Sequence, residues 1–529
     1  MAVDAEWWRG AVLYQIYPRS YQDANGDGVG DLAGIISRLD HVASLGVDGI
    51  WISPVFTSPM DDFGYDVSDY CDIDPLFGTL ADFDRLVAAC HQRGLKLIID
   101  QVYSHTSDQH DWFNQSRSSL TNAKSDWYVW ADAKPDGSPP NNWQAVFGGP
   151  AWTWDSRRGQ YYLHNFLVSQ PDLNLHNPQV QEAILAVARF WLDRGVDGFR
   201  LDVADFYTHD RQLRDNPPSG VTDSPKPWGM QRHLYNIDQP ETLPFVERLR
   251  AVTDEKPGRM MVAELASDMQ LKCMADYTAG GNRFHTAYSF VFLNPSFGAA
   301  YIRKQVNAVA TGAADAWPSW SFSNHDVVRA ATRWGAGKPR HFLKTLIALL
   351  TSLRGTAFLY QGEELGLPEA EVPRERLRDP DGVAHWPRHK GRDGCRTPMP
   401  WRSDAPHAGF SPVEPWLPVD PRHLPLAVDQ AEADPDSVLH FTRQWLNWRR
   451  TEPLMKTGAL SFIDIGGEIL AFVRGEGPGR LVFIFNLGDT PTRTALPEGD
   501  WTEALPLGGV TKAGAVVLEP GQGFVARLG

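Results

Sequence analysis

Apolar residues fall at helical spacing through DLAGIISRLDHVASLG, at Leu32, Ile35, Ile36, Leu39, Val42 and Leu45, and Gly46 ends the run. The spacing predicts one helix over 32–45, followed by a short apolar strand over 50–54. The same order returns before Gly94, with a strand over 95–99, and before Gly195, with a strand over 199–203. The tetrapeptide GVDG occurs twice, at 46–49 and 195–198. Each strand is nearly all apolar, as a strand covered on both faces must be. Five more strands are predicted over 12–17, 260–264, 288–293, 320–324 and 357–361, with helical runs between most of them, such as 343–353. Eight alternating strand and helix units imply an α/β fold, a closed (β/α)8 barrel of the TIM type. An open doubly wound sheet is the alternative.

Two stretches break the rhythm. Residues 104–170 are rich in Trp, Asn, Ser, Gly and Pro. A structureless loop of that length is rare, so a small domain inserted after the third strand is expected. An irregular excursion rich in Pro, Asp and Arg covers about 365–425. The expected barrel therefore comprises 1–103 and 171–454. After that the chain turns to short alternating runs at 469–473, 481–486, 515–518 and 523–528, separated by Gly and Pro. They predict an antiparallel β domain over 455–529.

Composition narrows the class. The chain has 529 residues and a net charge of −15, which repels phosphate backbones and argues against nucleic acid as a partner. No apolar run approaches the roughly 20 residues of a membrane helix, and the first residues lack the basic-then-apolar shape of a signal peptide. Four scattered cysteines without metal or redox spacing suit reduced thiols in a cytoplasmic protein. Tryptophan (20) outnumbers tyrosine (15), and large flat rings with one polar handle suit sugar faces as well as cores.

In a barrel of this kind chemistry gathers at the C-terminal ends of the strands. There the sequence places Asp100 and His105, then Arg200 and Asp202, then Glu264, then Asn324, His325 and Asp326. Any one of them alone reads equally well as an ion pair bracing the barrel rim. Charged groups ending four apolar strands are costly to bury unless paired, so the set as a whole points to a site. Three carboxylates beside one arginine fit hydrolysis of a glycosidic bond. A second constellation lies in DANGDGVGD at 23–31, with oxygen side chains at positions 1, 3, 5 and 9 and Gly28 at position 6 of a calcium loop. Position 12 is Gly34 rather than Glu, and Asp31 also sits where a helix cap would be. A turn with a cap is the competing reading.

The segments GFRLD at 198–202, NHD at 324–326, DQVYSH at 100–105 and QPDLN at 170–174, with Glu264 at a strand end, resemble the conserved regions of the α-amylase family of glycoside hydrolases. QPDLN, DFGYDVSDY at 62–70 and GRDGCRTPMPW at 391–401 are most similar to its oligo-1,6-glucosidase and α-glucosidase branch. By this resemblance Asp202 is the nucleophile, Glu264 the general acid/base and Asp326 the carboxylate that orients the sugar. Arg200 keeps Asp202 ionised, and His105 and His325 bind the same sugar. Asp62 and Tyr65 close the pocket, Arg392 rather than Arg396 completes it, and Phe147 and Phe166 of the insert are candidate aromatic walls. Glu363 and Glu364 are the rival acids, read as barrel structure. Ser104 replaces the Asn that helps hold calcium in amylases, so that ion is not expected. The resemblance does imply a structural calcium, or magnesium, in the 23–31 loop, with Asp23, Asn25, Asp27, the Val29 carbonyl and Asp31 as ligands.

The expected activity is that of a retaining, exo-acting α-glucosidase releasing glucose from short α-glucosides. The expected partner is the sugar alone, for a monomer or homodimer. An oligo-1,6-glucosidase, a transglucosylase or a sucrose isomerase would use the same chemistry. A non-catalytic relative, such as a transporter heavy chain, would carry a membrane anchor and lack the full carboxylate set.

Overall fold

The computed structural model describes residues 4–312, 315–512 and 514–529. Eight parallel strands form one sheet: β1 Val12–Ile16, β2 Gly49–Ile52, β3 Lys96–Gln101, β4 Gly198–Leu201, β5 Met260–Leu265, β6 Thr286–Ser289, β7 Ser319–Ser321 and β8 Thr356–Tyr360. β1 pairs with both β2 and β8, and a parallel bridge from Ala287 to Pro318 joins β6 to the start of β7, so the sheet closes on itself. The barrel is the one the alternating pattern predicts.

The repeated GVDG has a common structural cause. Gly46 and Gly195 end their helices with φ of 88° and 99°, a left-handed conformation that glycine adopts without strain. Asp48 accepts the Val12 amide at 2.8 Å, and Asp197 accepts the Leu97 amide at 3.0 Å, so each stitches its strand to a neighbour. A Cβ on Gly49 would lie 2.5 Å from the Lys96 carbonyl, and one on Gly198 would lie 2.0 Å from that of Met260. Only glycine fits where the next strand passes that closely.

Two of the longer helices between the strands start at side-chain caps. Thr79 and Asp82 form a reciprocal capping box on Leu80–Gln92, and Asn177 caps Pro178–Asp193, whose first residue is proline. Their apolar stripes pack on the outside of the sheet, while Trp51, Ile98, Met260, Val262 and Phe358 fill its interior below the rim.

Two expectations need correction. The helix predicted over 32–45 is two helices, Leu32–Ser37 and Leu39–Leu45, broken at Arg38. The Arg38 side chain donates to Gln22 at 2.7 Å and lies over Trp401, tertiary partners that the spacing could not reveal. The sixth strand begins at Thr286 and ends at Ser289, and Phe290–Phe292 is a 3-10 turn rather than strand. Phe292 packs on Trp320 and Phe322, and a buried turn leaves the same apolar run as a strand does.

Between β3 and the following helix, residues 104–170 carry one short helix, Asp111–Arg117, and an antiparallel sheet of Trp130–Ala131, Trp152–Asp155 and Gln160–Leu163. Beyond Leu460 the chain is all β, in a five-stranded and a three-stranded antiparallel sheet. Strands 460–463, 492–495, 501–505 and 510–512 join the four that the sequence pattern predicts. Among the described residues no helix is long and apolar enough to cross a membrane.

Asp197 is the most heavily bonded of these stitches. Its buried carboxylate also receives Lys96 at 3.0 Å, Arg259 at 2.8 Å and His91 at 2.7 Å. Burial pushes its pKa up, but His91, the Leu97 amide and Lys96 together bring it below the ordinary value. Asp197→Ala is expected to lower unfolding free energy by about 3 kcal/mol at neutral pH, the low end for breaking a buried pair, because the cations can turn to water. The folded pKa lies below the unfolded value of about 3.9, so this contribution is present above that pH and lost below it. Denaturant titrations should show the wild type and the variant converging under acid.

Candidate active site

Parallel register brings the strand ends together. Asp100 on β3 is the partner of Arg200 on β4, Val262 on β5 is its partner on the other side, and Glu264 is paired with Tyr288 on β6. Arg200 is fully buried at the centre. Its Nη1 donates to Asp100 at 2.8 Å and to Asp202 at 2.6 Å, its Nη2 lies 2.5 Å from Glu264, and its Nε donates to the Tyr288 hydroxyl at 3.1 Å. That hydroxyl donates to Glu264 at 3.1 Å.

One cation thus faces three buried carboxyls. Burial drives Asp202 up to about 7, against the pull of Arg200 and with the push of Asp100. Burial also drives Glu264 up to about 7, with Arg200 opposing and Asp202 and Asp326 adding to the rise. The two titrate as a pair, and close like charges keep one proton between them. Arg200 reaches both members of the pair, Asp202 at 2.6 Å and Glu264 at 2.5 Å, and Tyr288 adds a donor to Glu264.

Asp326 stands apart, partly open to the cavity. Arg396 donates to it at 2.9 Å, Arg392 approaches at 3.5 Å, and His325 Nε2 is 3.3 Å away. Burial disfavours its charge, but His325, Arg396, Arg392 and Arg200 outweigh burial and hold it well below the usual carboxylate range. The Gln15 amide donates to His325 Nδ1 at 2.8 Å, which leaves the ring proton on Nε2, facing Tyr65 and Asp326. Burial keeps both His325 and His105 neutral, His105 at about 4. His105 Nε2 donates to the Tyr65 carbonyl at 3.0 Å, and the Ser104 hydroxyl donates to its Nδ1 at 2.8 Å. Ser104 therefore orients a pocket histidine.

Asp62, Tyr65, His105, Phe147, Phe166, Asp202, Val203, Glu264, Asp326 and Arg392 line one cavity, with Arg200 and His325 fully buried outside its lining, and its volume is about 270 Å³. That is the small end for ligand sites, which run from about 300 to 1,000 Å³, and suits a short ligand. Asp62 accepts Arg392 at 2.7 Å and Gln170 at 3.1 Å at the buried end. Arg392 lines the cavity, whereas Arg396 is fully buried behind Asp326 and braces it. Phe147 and Phe166 face each other and the cavity. Glu363 and Glu364 stay out of it: Glu363 accepts the Tyr360 amide, and Glu364 holds Tyr14 and His41 within the barrel wall.

Sequence reasoning missed several residues, two that bond to the wall and five that form part of it. Gln170 sits inside the quoted QPDLN, and Tyr288 at a predicted strand, so both had a signal. Phe206, Lys226, Trp228 and His389 come from loops and short turns, and Asp381 from the short helix Pro380–His385, whose pattern gave none. Val203, the residue after Asp202, has φ of 35°, a strained value for a β-branched side chain, at the cavity wall.

The 23–31 loop lies away from this cavity. Asp23 accepts the amides of Gly26 and Gly28 and the Ser411 hydroxyl, Asp27 accepts the Val29 amide, and Asp31 accepts those of Ala24, Asn25 and Gly34. Asp31 is the N-cap of Leu32–Ser37. Among the described residues no group of three or more His, Cys, Asp or Glu is spaced to hold a metal ion. As folded, turn and cap account for every one of these carboxylates.

Residues 15–458 match the alpha-amylase catalytic domain. The chain belongs to the alpha-amylase family. It is 54% identical over 505 residues to a probable alpha-glucosidase of Rhizobium meliloti, covering 93% of this chain and 92% of that one. An oligo-1,6-glucosidase of Parageobacillus thermoglucosidasius is 36% identical over 525 residues, with coverage of 93% and 92%. The crystal structure of the alpha-glucosyl transfer enzyme XgtA superimposes with a TM-score of 0.96 at 51% identity, covering all of both chains.

Tyr288 gives this family site a test of its own. Its hydroxyl bond lowers the proton affinity of Glu264. Tyr288→Phe should cost roughly 10-fold or more in kcat/KM, the worth of one hydrogen bond to a charged group. It should also move the alkaline limb of the pH–rate profile upward, because Glu264 then holds its proton to higher pH.

Proposed function

We propose that the chain acts as a retaining, exo-acting α-glucosidase on short α-glucosides of the maltose, sucrose and isomaltose class. The observation that carries this reading is the single buried guanidinium of Arg200 holding Asp202 and Glu264 on adjacent nitrogens. That arrangement suits the close pair of a retaining enzyme, about 5–5.5 Å apart, better than the wider pair of about 6.5–9.5 Å that must admit a water. The small cavity supports exo action on a short substrate.

Asp202 attacks the anomeric carbon while Glu264 gives its proton to the leaving oxygen, and a covalent glucosyl ester forms on Asp202. Loss of that proton leaves Glu264 as the base that activates water, whose attack restores Asp202. Asp326, held ionised, anchors sugar hydroxyls and opposes the developing positive charge. His105, His325, Asp62 and Arg392 supply the remaining contacts to one glucose, and Tyr65 and Phe166 its apolar walls. The likeness to XgtA favours a second outcome at the same intermediate, attack by an acceptor sugar in place of water. The products formed from maltose, glucose alone or longer oligosaccharides as well, distinguish the two.

Asp202→Asn should keep the fold and lower turnover by at least about 10³-fold, because the covalent route is gone. Glu264→Gln should damage maltose hydrolysis far more than the first step on an aryl glucoside, whose leaving group needs no proton. Substantial residual turnover by the first variant, or equal losses with the second, contradicts the assignment.

The four cysteines are free, which supports a reducing, cytoplasmic setting. The cation reading of residues 23–31 rests on the oxygen content of the loop and on the family resemblance. Calcium or magnesium there would raise the thermal midpoint of the wild type, and a chelator would remove that gain but leave Asp27→Ala unaffected. Protein free of both metals by elemental analysis would leave turn and cap as the loop's whole role.

A further inference from the structure

Asp205 is a fully buried carboxyl with no place in the chemistry above. It lies in the 3-10 turn Ala204–Phe206, three residues after Asp202. Its Oδ2 accepts the Ala266 amide at 2.8 Å, and Ala266 is two residues beyond Glu264 and lines the cavity. Its backbone carbonyl accepts the Asp238 amide at 2.7 Å, which ties the returning loop to the same turn. Between Asp202 and this turn the chain passes through the left-handed Val203, whose amide approaches Glu264 Oε2 at 3.4 Å.

The turn after one reacting carboxylate is therefore bonded directly to the strand end that carries the other. We infer that Asp205 is a positioning residue that fixes the acid/base Glu264 relative to the nucleophile Asp202. The inference rests on the roles proposed for those two residues.

The surroundings suit a neutral acceptor. Asp205 Oδ1 has no hydrogen-bond partner, and Asp238, which receives the Ser267 hydroxyl and the Cys273 thiol, lies on the same side. Burial first, then the nearby Asp238, raises the pKa of Asp205 well above its ordinary value, and Glu264 adds to the rise. A neutral carboxyl gives the Ala266 amide its acceptor without setting a further negative charge beside the Asp202 and Glu264 pair. Asparagine would do the same, whereas alanine would leave the amide unpaired and the strand end free to shift.

The test compares Asp205→Asn and Asp205→Ala in the full chain, using kcat/KM on maltose and on 4-nitrophenyl α-glucoside. A misplacement of about 1 Å costs on the order of 10²-fold, and here it falls on the proton donor. Asp205→Ala should therefore lose at least about tenfold more on maltose than on the aryl glucoside, while Asp205→Asn keeps the wild-type ratio. A merely structural role would lower the thermal midpoint and the active fraction without changing that ratio. Equal losses on both substrates with alanine, or a tenfold change of the ratio with asparagine, overturn the inference. If the alanine variant does not fold, the asparagine ratio decides alone. A wild type inactive on both substrates would instead refute the proposed function.

Discussion

The structure turns on a single buried arginine. Arg200 lies at the centre of the barrel mouth without access to water, and an isolated guanidinium there would carry a prohibitive desolvation cost. Three carboxyls from three strands offset it, and a tyrosine hydroxyl takes its remaining direction. One positive charge cannot balance three negative ones, so the cluster retains a proton, and its geometry decides where. In the roles proposed above, that proton sits on Glu264 and Asp202 is the ionised member. On that proposal, a rim that looks like ordinary ion pairing is also an acid beside a nucleophile.

A second charge balance faces the first across the cavity. Arg392 and Arg396 meet Asp62, Asp326 and Asp379, with two arginines against three carboxylates. At Asp326 and Asp379 the cations prevail over burial and hold both below the usual range, whereas at Asp62 burial outweighs Arg392 and Arg396 and pushes the carboxyl up. The two clusters differ in what they do to a carboxyl. The first keeps a proton available near neutral pH, and the second keeps charge fixed, which is the division of labour that cleaving a sugar acetal requires.

The loops add shape. Phe147 and Phe166 come from the insert, Phe206 from the turn after β4, and Trp228 from the loop beyond it. Phe206 stacks between Phe166 and Trp228, so apolar contact between separate loops holds the outer wall. None of these rings lies on a barrel strand, and the wall can vary while the charged floor stays as it is.

The barrel was legible in the chain because fully covered strands, helical stripes and glycine stops repeat with a period that only a closed or doubly wound parallel sheet satisfies. Asp100, Arg200, Asp202, Glu264 and Asp326 were legible because each is a charged residue at or just beyond the end of an apolar strand. The break at Arg38 and the turn at Phe290 were not. Each depends on what a side chain meets from a distant segment, and local periodicity carries no record of that. The same holds for the 23–31 loop, where sequence allows both a cation and a cap, and for Asp205, which as a letter is one more acid after a nucleophile. The sequence by itself determined which residues end each strand, because hydrophobic pattern and chain direction are local. Only the tertiary structure decided how those ends share protons and space, because register, burial and the contacts of returning loops exist only once the barrel is closed.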